Sequence, residues 1–260
     1  MSWASMLLLT ISTFGVRHLG RLAASRQMVG KDQNEIAEWL KQRTTQNTEQ
    51  AEECVKINYH GTKTVTEALL PLVQSSSDGR IVNVTSAFGL LRVRALIIHN
   101  RSSQFEGRKW EITKHPMQSS SVLHVYPALF GAVFQRRGAP AGAEQHRHAD
   151  QAAAGELSAL FLDDYKSGKL ELRGWPTDRV YAAYQASKAL VSAYTRILAR
   201  ENPALRVNCV HPGYVETEMN CNTGDLTAAE GARVSVAVAV ADHGGVTGAY
   251  FDRNEIASFV

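Results

Sequence analysis

Residues 181–213 read YAAYQASKALVSAYTRILARENPALRVNCVHPG. Leu190, Tyr194, Ile197 and Leu198 recur at three- and four-residue steps, which predicts a helix from Tyr184 to Arg200 with one apolar stripe. Asn202-Pro203 ends it, because proline cannot extend a helical hydrogen-bond ladder. LRVNCV (205–210) is short, rich in β-branched residues and bounded by turn residues, so it reads as a strand, and His211-Pro212-Gly213 is the turn that leaves it. A helix running directly into such a strand is the repeating unit of an α/β chain with a parallel sheet.

The same pattern extends outward. GRIVNVTS (79–86) carries Ile81, Val82 and Val84 and reads as a buried strand. Before it, a helical pattern runs from about Asn34 to Leu72, with Cys54, Ile57, Gly61, Val65, Leu69 and Leu72 on one face and Pro71 marking its end. Leu157 to Leu172 reads as a short helix closed by Gly174-Trp175-Pro176. Leu226 to Ala241 reads as a helix capped by Asp225 or Thr227, and a last strand lies near Ala249 to Phe251. Residues 1–35 show no sustained period.

The 260 residues suffice for one domain with a sizeable core, and 44% of them are hydrophobic. A net charge of +3 does not by itself imply a nucleic-acid partner. Cys54, Cys209 and Cys221 are widely spaced, so neither a disulfide framework nor a metal site is expected, which fits the cytoplasm. No apolar run of about 18 residues suggests a membrane span, and no Lys or Arg precedes the run Met6 to Leu9, as a secretory leader would require. Asn83-Val-Thr is a glycosylation sequon within a strand, where a glycan is not expected. The segment 92–149 stands apart, with nine Lys/Arg against three Asp/Glu and five of the nine histidines. Its aromatics are scattered and no RNA- or DNA-binding motif accompanies its charge, so it reads as a basic, solvated insert and not as a nucleic-acid site. Its end, through Glu156, is poor in large apolar residues and is expected to be disordered.

Tyr184 and Lys188 are four residues apart and share a helix face. A phenol titrates near 10, and a neighbouring ammonium lowers that value by favouring the phenolate. Such a pair can exchange a proton with a carbonyl or an alcohol. The spacing alone is weak evidence, because Tyr59…Lys63 and Tyr165…Lys169 repeat it. Only Tyr184 opens a clean helix between two strands, one ending in Thr85-Ser86 and the other in His211-Pro212-Gly213. Ligands of open α/β sheets sit at such carboxyl ends. Asn58 lies on the apolar stripe of its helix and should be buried, where an amide needs partners.

INYHGTK (57–63), GRIVNVTS (79–86), YAAYQASK (181–188) and RVNCVHPGYVET (206–217) follow one another as the consecutive motifs of the short-chain dehydrogenase/reductase family do. With FLDDYKSGKLELRGWP (161–176) and GGVTGAYFDRNEI (244–256), the chain resembles that family's carbonyl-reductase-like branch, whose plant members are monomers with a long insert between the catalytic Ser and Tyr. The resemblance implies that 36–91 and 157–260 form the catalytic half of a Rossmann-type domain, with 92–156 an insert and 1–35 unplaced. It implies an NADPH-dependent oxidoreductase interconverting a small-molecule ketone or aldehyde with its alcohol. Tyr184 would be the general acid, Lys188 would lower its pKa and hold the nicotinamide ribose, Ser86 would bond the substrate oxygen, and Asn58 would support the lysine through water. Pro212, Gly213 and Val215 would flank the nicotinamide, with Thr217 near its carboxamide or the phosphates.

The family's opening strand and TGxxxGxG phosphate loop have no counterpart, and no two glycines of this chain lie two positions apart. The fold expected is therefore a partial Rossmann-type doubly wound parallel sheet lacking its first strand–helix units, with strand 79–86 left as an exposed edge. The alternative function is an inactive, truncated remnant or interaction protein of the same family.

Overall fold

The computed structural model describes residues 6–10, 46–90, 144–177, 181–217, 222, 224–241 and 244–259. The chain is α/β with a mainly parallel sheet. Along the chain come β1 (Met6–Thr10), α1 (Thr48–Val55), a π-helical turn (Lys56–Gly61), α2 (Thr62–Gln74) and β2 (Gly79–Val84). A 3₁₀ turn (Ala87–Gly89), α3 (Glu144–Lys166), α4 (Ala182–Glu201), β3 (Arg206–His211), α5 (Ala228–Val240), β4 (Tyr250–Asp252) and β5 (Glu255–Ala257) complete the order. The five strands lie in the sequence β1-β2-β3-β4-β5, parallel through β4, with β5 folded back antiparallel.

Alternation along β2 and β3 separates two layers. Ile81 and Val207 join the larger core with α1, α3 and α4, which holds Cys54, Phe161, Tyr165, Trp175, Leu190, Tyr194 and Ile197. Val82 and Val210 face the other way, onto Val238 and Ala239 of α5 and Phe251 of β4. The central helix α4 is buried on nearly every side. Its polar residues are matched across the sheet. Asn83 Nδ2 donates to Thr195 Oγ1 at 2.9 Å, and Thr85 Oγ1 lies 2.8 Å from Ser192 Oγ. Asn83 has no exposed surface, so the sequon is sterically closed. At the opposite end of β2, Asp78 pairs with Arg80 and Arg206, and these guanidinium groups hold its carboxyl down at about 2. Arg80 also donates to the carbonyls of Ala239, Val240 and Ala241, closing the C-terminus of α5.

Several expectations need correction. Strand 79–86 is not an exposed edge, because β1 pairs with it in parallel from Met6↔Gly79 to Thr10↔Asn83. Five consecutive apolar or small residues carry no period, which is why β1 was invisible within 1–35. Disorder through residue 156 is also wrong from Glu144 onward, where α3 begins. Ala152, Ala153, Ala154 and Glu156 are strong helix formers although they add little hydrophobic signal. This helix closes at Lys166, not Leu172, as Gly168 turns left-handed at φ +70°. The helical pattern expected from about Asn34 is not one helix, since α1 starts at Thr48 with Asn47 as its cap, while residues 34–45 and the rest of the insert lie outside the described residues.

The stripe on α2 also needs correction. Val65 and Leu72 are 48% and 54% exposed, whereas Cys54, Asn58, Thr62 and Thr66 point inward. The π turn holds more residues than an α turn, so the buried face advances in steps of four and the expected register slips by one. Pro71, finally, lies inside α2 and does not end it. Its site is exposed, so water can satisfy the carbonyl that loses its helical donor.

Candidate active site

Strands β2 and β3 run parallel with Val84 opposite Val210, so the segments leaving them emerge at the same edge of the sheet. Thr85 N donates to Val210 O at 2.8 Å and ties the two exits together. After β2 the chain makes a 3₁₀ turn capped by Ser86, whose hydroxyl accepts from Phe88 N at 3.2 Å. That turn is pressed onto α4. A Cβ on Gly89 would meet the Lys188 carbonyl carbon at 2.8 Å and Ala189 N at 2.9 Å, so only glycine permits the approach.

Tyr184 stands in the first turn of α4, half-buried, with Lys188 one turn on and only 3% exposed. The ammonium lies 5.7 Å from the Tyr184 ring centroid and donates to Val84 O at 3.1 Å. Burial holds Lys188 down at about 8, opposed by the Cys54 thiol nearby. The tyrosine shifts opposite to the sequence expectation. Burial raises its pKa, and the hydrogen bond from Ser86 only partly offsets that. The lysine amine faces the ring and a carbonyl, which is why its charge does not dominate the phenol.

Asn58, fully buried in the π turn, donates through Nδ2 to Ser187 Oγ at 3.0 Å and to Cys54 Sγ at 3.6 Å. Ser187 Oγ in turn donates to Tyr184 O at 2.8 Å. Asn58 therefore reaches the Tyr184/Lys188 turn through Ser187. The Cys54 thiol is buried and pushed up to about 12.

Beyond β3, Pro212 and Gly213 are half-buried, and Gly213 holds φ +97°, a conformation suited to glycine. Val215 bridges Leu226 and packs on Gly231 of α5, which fixes the loop to that helix. Thr217 is half-buried, and its carbonyl accepts from Asn222 N at 2.9 Å. Ser86, Tyr184, Lys188 and Asn58 thus converge at one end of α4, and Pro212, Gly213, Val215 and Thr217 lie on the adjoining loop. Sequence reasoning missed Ser187, Thr85 and Ser192, whose signal was their place on the inner face of α4 or at the end of β2. It also missed Phe88 and Tyr181, whose rings stack at 5.6 Å with an interplanar angle of 5°.

A family model described as short chain dehydrogenase matches residues 29–100, and one described as enoyl-(acyl carrier protein) reductase matches 172–245. The first match reaches into segments that the sequence motifs left unassigned. Salutaridine reductase of Papaver bracteatum is 33% identical over 92% of this chain and 65% of its own length. A (+)-neomenthol dehydrogenase of Capsicum annuum is 34% identical over 82% of this chain and 54% of its own. The solved structure of salutaridine reductase from Papaver somniferum superposes with a TM-score of 0.67 at 31% identity, covering 95% of this chain and 71% of that one. The chain spans between half and two thirds of the length of these two curated relatives.

Proposed function

The chain belongs to the short-chain dehydrogenase/reductase family, and from that membership we propose that it is an NADPH-dependent oxidoreductase interconverting a ketone or aldehyde with its alcohol. The observation that carries the reading is the buried amine of Lys188, one helical turn from Tyr184 and 5.7 Å from its ring, where the Ser86 turn packs onto α4. Burial favours the neutral phenol, the form that gives a proton to the carbonyl oxygen, and the Ser86 hydroxyl works in the opposite direction.

The residues fit the nicotinamide and ribose end of the cofactor. Lys188 offers a buried amine beside Tyr184, and Gly213 turns the adjoining loop at φ +97° against Leu226. When bound, NADPH supplies the hydride that reduces the carbonyl carbon. Ser86 holds the carbonyl oxygen, and Tyr184 gives it the proton that completes the alcohol. Lys188, able to lose its own proton near pH 8, restores the phenol. Asn58 fixes the Tyr184/Lys188 turn through Ser187. Pro212, Gly213 and Val215 would flank the nicotinamide, with Thr217 near its carboxamide or the phosphates. The reading takes the chain as a cytoplasmic monomer, and helix α3 lays Leu157, Phe161 and Tyr165 onto its own core. Among the described residues no helix is long and apolar enough to cross a membrane.

A second reading, a non-catalytic relative, is favoured by the lack of any Gly-x-Gly pattern for the pyrophosphate in the 260 residues. Fluorescence titration of the folded chain with NADPH separates the two. Saturable binding, with carbonyl-dependent oxidation that Tyr184→Phe abolishes, supports the first. No binding at millimolar NADPH selects the second.

A further inference from the structure

Helices α2 and α4 each lead into one of two neighbouring parallel strands, β2 and β3, so they run the same way side by side. Two side-chain hydrogen bonds fix their register. Asn58 Nδ2, in the π turn that precedes α2, donates to Ser187 Oγ at 3.0 Å, and Gln74 Nε2, at the far end of α2, donates to Asn202 Oδ1 at 2.8 Å. The partners are 129 and 128 positions apart in the chain. Halfway between these two rungs the same offset sets Thr66 against Tyr194, each about two helical turns from the rung on either side. Both residues are fully buried, and among the described residues neither hydroxyl meets a hydrogen-bond partner. The hydroxyls of Tyr59 and Thr62, on the same stretch of chain, are buried and unpartnered as well.

We propose that an internal water, bound jointly by Thr66 Oγ1 and Tyr194 Oη, completes the polar ladder between α2 and α4. A buried hydroxyl without a partner is strongly disfavoured, and protein interiors satisfy such groups either directly or through ordered water. The outer bonds hold the two helices at a fixed distance and register, so the middle pair is not free to close on itself. Thr66 nevertheless acts on the Tyr194 hydroxyl, drawing its pKa down against the larger upward push of burial. Polar groups that sense each other without bonding leave the gap that a bridging water fills. Internal waters make about three hydrogen bonds, and the Tyr59 hydroxyl, itself unpartnered and also felt by Tyr194, is the third partner. The site takes no part in the chemistry at Tyr184 and stands whatever reaction the chain performs.

Tyr194→Phe and Thr66→Val each remove one hydroxyl and keep the shape of the side chain, so urea unfolding of the full chain tests the proposal by the sign of the change. If the two hydroxyls share a water, each variant should lower the folding equilibrium constant about 5- to 30-fold, the effect of losing a satisfied buried hydrogen bond. The double variant should fall roughly as far as the larger single loss, because the water leaves with the first hydroxyl. A dry, unpartnered hydroxyl predicts the opposite sign, since its removal relieves a desolvated group. A crystal structure of the unaltered chain should show an ordered water within about 3 Å of both hydroxyls. A constant that is unchanged or raised in Tyr194→Phe, single losses that add in full, or a direct Thr66–Tyr194 bond with no water between them overturns the proposal.

Discussion

Tyr59 and Tyr184 each precede a lysine by four residues, and the structure puts them in opposite circumstances. Tyr59 is 1% exposed in the π turn, its hydroxyl pushed up to about 12 by burial, while Lys63 reaches outward to Glu67 at 3.1 Å. In the other pair the lysine is the buried member, at 3%, and the tyrosine is the half-open one, with Ser86 at its hydroxyl. Identical spacing yields a buried tyrosine with a surface ion pair in one case and a buried lysine beside a half-exposed tyrosine in the other. What differs is the neighbour. The first turn of α4 abuts the exits of two parallel strands, whereas the π turn and α2 meet α4 and α1 along a helix flank. Spacing places two side chains on one face, and the packing of that face decides which of them water reaches.

The largest expected effect breaks the symmetry directly. Tyr184→Phe should lower kcat/KM for carbonyl reduction by about 10² to 10⁴, the usual contribution of a general acid, with NADPH affinity unchanged. Tyr59→Phe should leave the rate alone. Initial-rate assays of both variants decide it, and comparable losses in the two would mean the pairs are chemically equivalent after all.

Next in size is a pH effect on stability. Lys188 titrates at about 8 in the folded chain, lowered from 10.5. Between those values the unfolded chain carries a proton that the folded chain has released, so stability must rise with pH across the window. Below pH 8 both states are protonated and the slope vanishes. Lys188→Met removes the effect, and the stability of the unaltered chain relative to that variant should grow by about 3 kcal/mol from pH 8 to 10.5. Urea denaturation at a series of pH values measures it. A flat difference would show that the amine is not desolvated.

Gly89→Ala comes third. The added methyl meets the backbone of Lys188 and Ala189, which cannot yield as a flexible side chain would. The turn bearing Ser86 must shift, at a cost of about 1–3 kcal/mol in thermal unfolding, with a fall in rate as the hydroxyl leaves Tyr184. An unshifted melting midpoint would mean that the turn does not rest on α4 as closely as the 2.8 Å approach indicates.

The legibility of these features follows from how local their causes are. Helix α4, strands β2 and β3, and the convergence of Ser86, Tyr184 and Lys188 were readable because stripes and β-branched runs are written within a few residues, and a parallel sheet brings strand ends together. The burial of Asn58 was readable for the same reason. Its partner Ser187 was not, being 129 residues away. The register of α2 was misread because no residue pattern announced a π turn, and one extra residue turned Val65 and Leu72 outward. The strand β1 was hidden because MLLLT suits a helix or a strand equally, and the sheet beside it makes the choice. The pKa direction of Tyr184 was misjudged because proximity to a charge is visible in a sequence, whereas the depth of burial is not.

The smallest expected effect addresses that π turn. Gly61 ends it with φ −63° and ψ −46°, ordinary helical values, and a Cβ there would have Lys56 O as its nearest contact at 3.6 Å. Nothing about this position requires glycine, and glycine costs a helix about 0.5–1 kcal/mol relative to alanine. Gly61→Ala should therefore raise stability by about that amount, the opposite sign to Gly89→Ala, although each glycine adjoins a Tyr-x-x-x-Lys turn. Rate measurements on the same variant add a finer test. Should alanine tighten the π turn into a regular α turn, Asn58 would rotate away from Ser187 and the rate would fall as stability rose. A raised midpoint with an unchanged rate would instead mean that the wide turn is held by its buried face, through Asn58 and Thr62, and not by the flexibility of the glycine that follows.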